Sequence, residues 1–178
     1  MANGYETRDM ARDFKEWAER NSQYKYMGVV QGETWQDATT TATYFAFGGW
    51  AHSIAIPRTI ANQFGQDARV KMFNVLTEIH NWPANRIHFL GSSKYADEVK
   101  LLVKECSGAR GIDTSMPYVL GLHHTMLEEG IGYIDRPSAF FWADPDRQQR
   151  DLCASNARTF LDWARDASVY PGLSTEAS

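Results

Sequence analysis

Cysteine is scarce in this chain of 178 residues. The two present, Cys106 and Cys153, are far apart, and neither belongs to a Cys-x-x-Cys pair. That excludes a disulfide framework and a cysteine-built zinc site, and leaves two reduced thiols that pack as small apolar side chains. Long apolar runs are missing too, so no segment is expected to cross a bilayer. The start, Met1-Ala2-Asn3-Gly4-Tyr5-Glu6, has neither the basic end nor the apolar middle of a signal peptide, and the expected location is the cytoplasm. Positive charge is not in excess either. A formal net charge of -4 argues against holding nucleic acid by bulk electrostatics alone and leaves only a local basic rim, with Arg58, Lys94, Lys100, Lys104, Arg110 and Arg136 as candidates or as plain solvating residues. No G-x-G-x-x-G or P-loop glycine pattern supports a nucleotide cofactor, and no cofactor is expected. Repeats, low-complexity tracts and Pro/Ser-rich linkers are absent, so one α/β domain is expected over 1–178, long enough to bury about 70 % of its unfolded surface.

What is present is an alternation. Four short apolar runs, Tyr26–Gln31, Ser53–Ile56, Ile87–Leu90 and Arg110–Asp113, read as strands. Between them lie helix-length segments: Trp35–Phe47, rich in Ala, Thr and aromatics; Asp67–His80, with Val70, Phe73, Leu76 and Ile79 at helical spacing; and Lys94–Cys106, with Val99, Leu102 and Val103. Crossovers of this length predict parallel neighbours with right-handed connections. Helices are expected before the first strand, Thr7–Arg20, and at the end, Asp146–Asp166. Between Met116 and Asp144 the glycines Gly121, Gly130 and Gly132 and Pro137 break any period, which predicts loop with short elements.

In a parallel sheet the carboxyl ends of the strands share one edge, where sites form. Here those ends are Gln31-Gly32, Pro57-Arg58, Gly91-Ser92-Ser93 and Asp113-Thr114-Ser115, all expected to face one crevice. An ionised Asp113 is suited to act as a nucleophile, a base or the partner of a cation, or simply to cap the turn at Thr114-Ser115. Gln31 offers a planar donor and acceptor fit for the edge of a heterocycle, or is an ordinary polar strand end. Gly91 permits close backbone approach, with Ser92 beside it. Arg58 is a phosphate ligand or a solvated turn residue. Trp35, Tyr44, Phe45 and Phe47 read as helix-to-sheet packing before a base-stacking platform.

At these residues the sequence resembles the tRNA-guanine transglycosylase superfamily, the (β/α)8 TIM barrels that exchange a guanine for a 7-deazaguanine. Tyr26-Met27-Gly28-Val29-Val30-Gln31-Gly32-Glu33 is similar to the family's G-I-V-Q-G strand, and Ile54-Ala55-Ile56 to its Y-A-I-G-G strand. Ile87-His88-Phe89-Leu90-Gly91 resembles Y-L-M-G, and Ile112-Asp113-Thr114-Ser115-Met116-Pro117 resembles F-D-C-V-L-P. The matches run in the family's order over about 26–117, followed by a helical region at about 118–178. The resemblance implies the C-terminal half of a barrel with flanking helices. It also implies Asp113 as the nucleophile of a covalent glycosyl intermediate, Gln31 as the base reader, and Gly32, Arg58, Gly91 and Ser92 around the substrate.

Three departures accompany it. Pro57-Arg58 stands where the family reads the base through Gly-Gly, and the Cys-x-Cys-x-x-Cys zinc cluster has no counterpart, the adjacent His123-His124 being a poor substitute, so no metal is expected. The early Asp-Ser-Gly-Gly-Phe segment, which supplies the family's acid/base carboxylate, is also without a counterpart. The lost zinc directs the comparison to the relatives that act on deoxypurines in DNA, in bacteria and phages. DNA rather than tRNA is the expected nucleic acid, a bacterial or phage-infected cell the expected setting, and a second subunit or a second copy the expected means of completing the barrel. The other function class is a non-catalytic domain on the same fold that binds a nucleobase, a nucleotide or a protein. A third is another small α/β enzyme of flavodoxin-like or nucleoside-processing type.

Overall fold

In the computed structural model the described residues are 3–92, 98–131, 134 and 144–165. Lys94, Arg136, Ser93, Gly132, Pro137 and the first residues of the expected Lys94–Cys106 helix lie outside them. The described residues fall into two compact units, one formed by residues up to Gly91 together with Gly108–Asp113, the other by those of 92–107 and from Thr114 onward. Among them no helix is long and apolar enough to cross a membrane.

The first unit is α/β. Four strands, β1 (Tyr26–Val29), β2 (Ala51–Pro57), β3 (Ile87–Leu90) and β4 (Gly111–Asp113), form a sheet in the order β1-β2-β3-β4 with every pair parallel. This order contains no reversal. A flavodoxin-like sheet, with its second strand outside its first, has a different topology. Right-handed crossovers in a sequential sheet bring successive helices to the same face, and the side-chain contacts agree. A Cβ on Gly28 of β1 would stand 2.6 Å from the Phe45 ring of α2 (Trp35–Phe47), while Phe73 of α4 (Ala68–Asn74) meets Phe89 of β3 at 6.2 Å between ring centroids. The register pairs Gly28 with Ile54 and Phe89 with both Ile56 and Ile112, so these residues line the helix-covered face. The alternate residues Met27, Ala55, His88, Leu90 and Asp113 belong to the other.

Helix α2 keeps its expected bounds because its sequence satisfies itself. Thr34 caps the start, its hydroxyl accepting from the Asp37 amide at 3.1 Å, and the hydroxyls of Thr39, Thr40, Thr41 and Thr43 donate to carbonyls four residues back. Ala38, Thr41, Ala42 and Phe45, at helical spacing, are its buried face. Helix α1 (Gly4–Arg20) is capped by Asn3 and joined to α2 through Asp37. That carboxylate accepts from Arg8 at 2.8 Å and from the amides of Gly4 and Glu33. Burial acts to raise the Asp37 pKa, but the bonds from Arg8, Glu33 and Gly4 and the Arg8 charge hold it below the ordinary aspartate range.

Three elements differ from the sequence expectations. Arg58, expected either as a phosphate ligand or as a solvated turn residue, opens a short helix, α3 (Arg58–Phe64), that buries Ile60 and Ala61. The expected Asp67–His80 helix is α-helical only through Asn74 and then widens into a π-turn, Val75–Ile79, closed by the His80 amide on the Val75 carbonyl at 3.2 Å. Strand β1 ends at Val29, two residues short of Gln31.

The second unit is helical, with α5 (Glu98–Glu105), α6 (Met116–Leu122) and α7 (Arg147–Arg165). Gly121, a breaker by sequence, lies inside α6 because α7 crosses there: a Cβ would stand 2.3 Å from Cys153 Sγ. The fully buried Asn156 of α7 is satisfied at both ends of its amide, donating to the Thr125 and Pro117 carbonyls and accepting from the Leu127 amide at 2.7 Å.

Candidate active site

The last residue of β4 is Asp113, and register alone brings it beside β3: Leu90 pairs with Asp113, and His88 with Gly111. Because Phe89 is turned to the helices, His88 and Asp113 share the opposite face. His88 Nε2 lies 3.2 Å from Asp113 Oδ1, and the Gly91 amide donates to the same oxygen at 3.1 Å. An ionised carboxylate oxygen only accepts, so with Asp113 ionised this bond is donated from His88 Nε2. Asp113 Oδ2 has no hydrogen bond among the described residues. The carboxylate is thus anchored through one oxygen and presents the other, with the side chain 61 % exposed and His88 21 % exposed.

The donor at Gly91 is itself held in place. Gly91 has φ +70°, a left-handed conformation that a side chain would strain, and a Cβ there would press on Arg58 Cδ at 3.3 Å. Its carbonyl accepts from Arg69 Nη1 at 2.8 Å, and Arg69, fully buried, lies over the Phe89 ring. A side chain in the core therefore fixes the backbone that binds the carboxylate.

Of the site residues expected from sequence, Asp113, Gly91 and Arg58 come together at the carboxyl ends of β2, β3 and β4. Ser92 and Thr114, the next residues in sequence after Gly91 and Asp113, bond to each other through their hydroxyls, and Thr114 Oγ1 accepts from the Met116 amide at 3.0 Å. Gln31 is turned elsewhere, its amide oxygen 3.2 Å from Thr7 Oγ1 on α1. It follows β1, three inter-strand steps or about 14 Å along the sheet from β4. Gly32 is packed on the start of α2, where a Cβ would stand 2.3 Å from the Ala38 amide nitrogen.

The residue the sequence expectations omitted is His88. Its signal was the two-residue period of β3, which places His88 and Leu90 on one face and Ile87 and Phe89 on the other.

The remaining candidates disperse. Lys100 pairs with Glu129 and covers the Trp163 ring at 4.6 Å, and Lys104 pairs with Glu105 at 3.5 Å. Phe45 is buried against Trp50 and meets Tyr44, Trp35 meets Phe64, and Phe47, largely exposed, lies against His80. Among the described residues no three His, Cys, Asp or Glu side chains converge to hold a metal ion. In the second unit a shallow groove of about 450 Å³ is lined by residues including Thr114, Tyr118, Arg150 and Cys153, and burial raises the Cys153 thiol pKa.

No family model, curated protein or solved structure matches this chain.

Proposed function

We propose that the chain is a base-exchanging transglycosylase, or a subunit of one, that replaces guanine by a 7-deazaguanine in nucleic acid, with DNA the preferred substrate. On this reading the four sequential parallel strands are an arc of a (β/α)8 barrel, and a second subunit or a second copy of the chain completes it. Asp113 Oδ2 attacks the anomeric carbon as the bond to guanine breaks, and the glycosyl ester is then displaced by the incoming base. The observation that carries the reading is the Asp113 carboxylate, held through Oδ1 by Gly91 and His88 at the carboxyl end of β4 with Oδ2 open. An anion so placed favours an oxocarbenium-like transition state before bonding to it. Arg58, beside Gly91, supplies a positive charge for a phosphate.

The test is incorporation of a labelled 7-deazaguanine into duplex DNA and, in parallel, into tRNA. Asp113→Asn is expected to lower exchange by at least about a thousandfold, as loss of a nucleophile does elsewhere. Unchanged incorporation by the variant overturns the mechanism.

A second reading, a non-catalytic domain that binds a nucleobase, a nucleotide or a protein without turnover, is favoured by one observation: β2 ends at Pro57, which has no N–H to offer a base, and passes directly into α3 at Arg58. Calorimetry with guanine and 7-deazaguanine separates the two, because heat of binding with no exchange at any protein concentration supports the binder.

A further inference from the structure

Asp113 has a neighbour that the nucleophile role leaves unused. His88 Nε2 is 3.2 Å from Asp113 Oδ1, the register of β3 and β4 puts both side chains on one face, and Nδ1 has no hydrogen bond among the described residues. An imidazole tied to a carboxylate by one nitrogen and open at the other is the arrangement in which a histidine passes protons.

We infer that His88 is the proton carrier of the exchange, giving a proton to the departing guanine and recovering one from the incoming base; this rests on the transglycosylase reading of Asp113. In the first step Oδ2 forms a bond to the anomeric carbon while the glycosidic C–N bond breaks. The electron pair of that bond leaves with guanine, and protonated His88 delivers its Nδ1 proton to a ring nitrogen of the base, directly or through one water. The products are the ester, a neutral imidazole and neutral guanine. In the second step N9 of the 7-deazaguanine bonds to the anomeric carbon and its proton passes to Nδ1. The C–O bond of the ester breaks, returning the Asp113 carboxylate and the imidazolium. Charge and protons balance over the cycle with no further reagent.

The deciding experiment varies how much the leaving base needs a proton. Full-length protein is given duplex DNA carrying either labelled guanine or labelled N7-methylguanine, which is already cationic and departs without protonation. His88→Gln, which keeps an N–H donor toward Asp113, is expected to slow guanine release by about a hundredfold or more while slowing N7-methylguanine release less than about threefold. Asp113→Asn is expected to block both. His88→Asn is measured in parallel, and the thermal midpoint of each variant checks folding. Equal slowing on both substrates assigns His88 a merely structural role and overturns the inference, as does guanine release at the wild-type rate; either result leaves Asp113 as nucleophile. A wild-type protein that releases neither base at any protein concentration overturns the reading of Asp113 as the nucleophile of this chain alone or paired with a second copy, and this inference with it.

Discussion

The two faces of the sheet are built from the same strands and differ in almost every other respect. Toward α2 and α4 the strands present Gly28, Ile54, Ile56, Ile87 and Phe89, and every isoleucine and the phenylalanine among them is at most 2 % exposed. Toward the other side they present Met27, 43 % exposed, then Ser53 and Ala55, small and buried, then His88, Leu90 and the exposed Asp113. The large buried hydrophobic side chains are concentrated on one face, and the His88–Asp113 pair stands on the other. One face therefore keeps the protein folded, and the other is free to carry groups that contribute little to stability.

Substitutions on each face break or sharpen that contrast. Phe89→Ala removes a ring packed against Phe73 and Arg69 and is expected to cost about 3–5 kcal/mol in denaturant unfolding. Asp37→Asn should cost about 2 kcal/mol, because it leaves the mostly buried Arg8 without its counter-charge. The Asp37 pKa is lowered in the folded protein, so its contribution is complete above the ordinary aspartate pKa of about 3.9 and is lost as pH falls through the lowered value. The difference between wild type and variant should accordingly shrink in urea titrations below about pH 4. Met27→Ala, on the opposite face, is expected to change stability by less than about 0.5 kcal/mol. A loss as large as that of Phe89→Ala would mean that this face is sealed in solution, as closure of a barrel requires.

The strands were legible because short apolar runs bounded by Gly, Pro and polar turns have few other uses, and α2 was legible to the residue because Thr34 and Gly48 close it. The sheet-edge aspartate was legible for the same reason: it ends an apolar run. What escaped depends on partners distant in sequence. His88 meets Asp113 only through the stagger of β3 on β4, which no local pattern encodes. Gln31 looks available until Thr7, 24 residues earlier, comes to it. Gly121 reads as a helix breaker, and only the passage of Cys153 against it shows why a glycine is needed inside α6.

The buried guanidinium of Arg69 makes the Gly91 amide a reporter. Its carbonyl is held from the core and its N–H is spent on an exposed carboxylate, so solvent exchange at that one proton senses two events: opening of α4 away from β3, and departure of Asp113 from its anchor. Adding denaturant accelerates the first and leaves the second unchanged. A single amide thus separates the cooperativity of the core from the local freedom of the edge that carries Asp113.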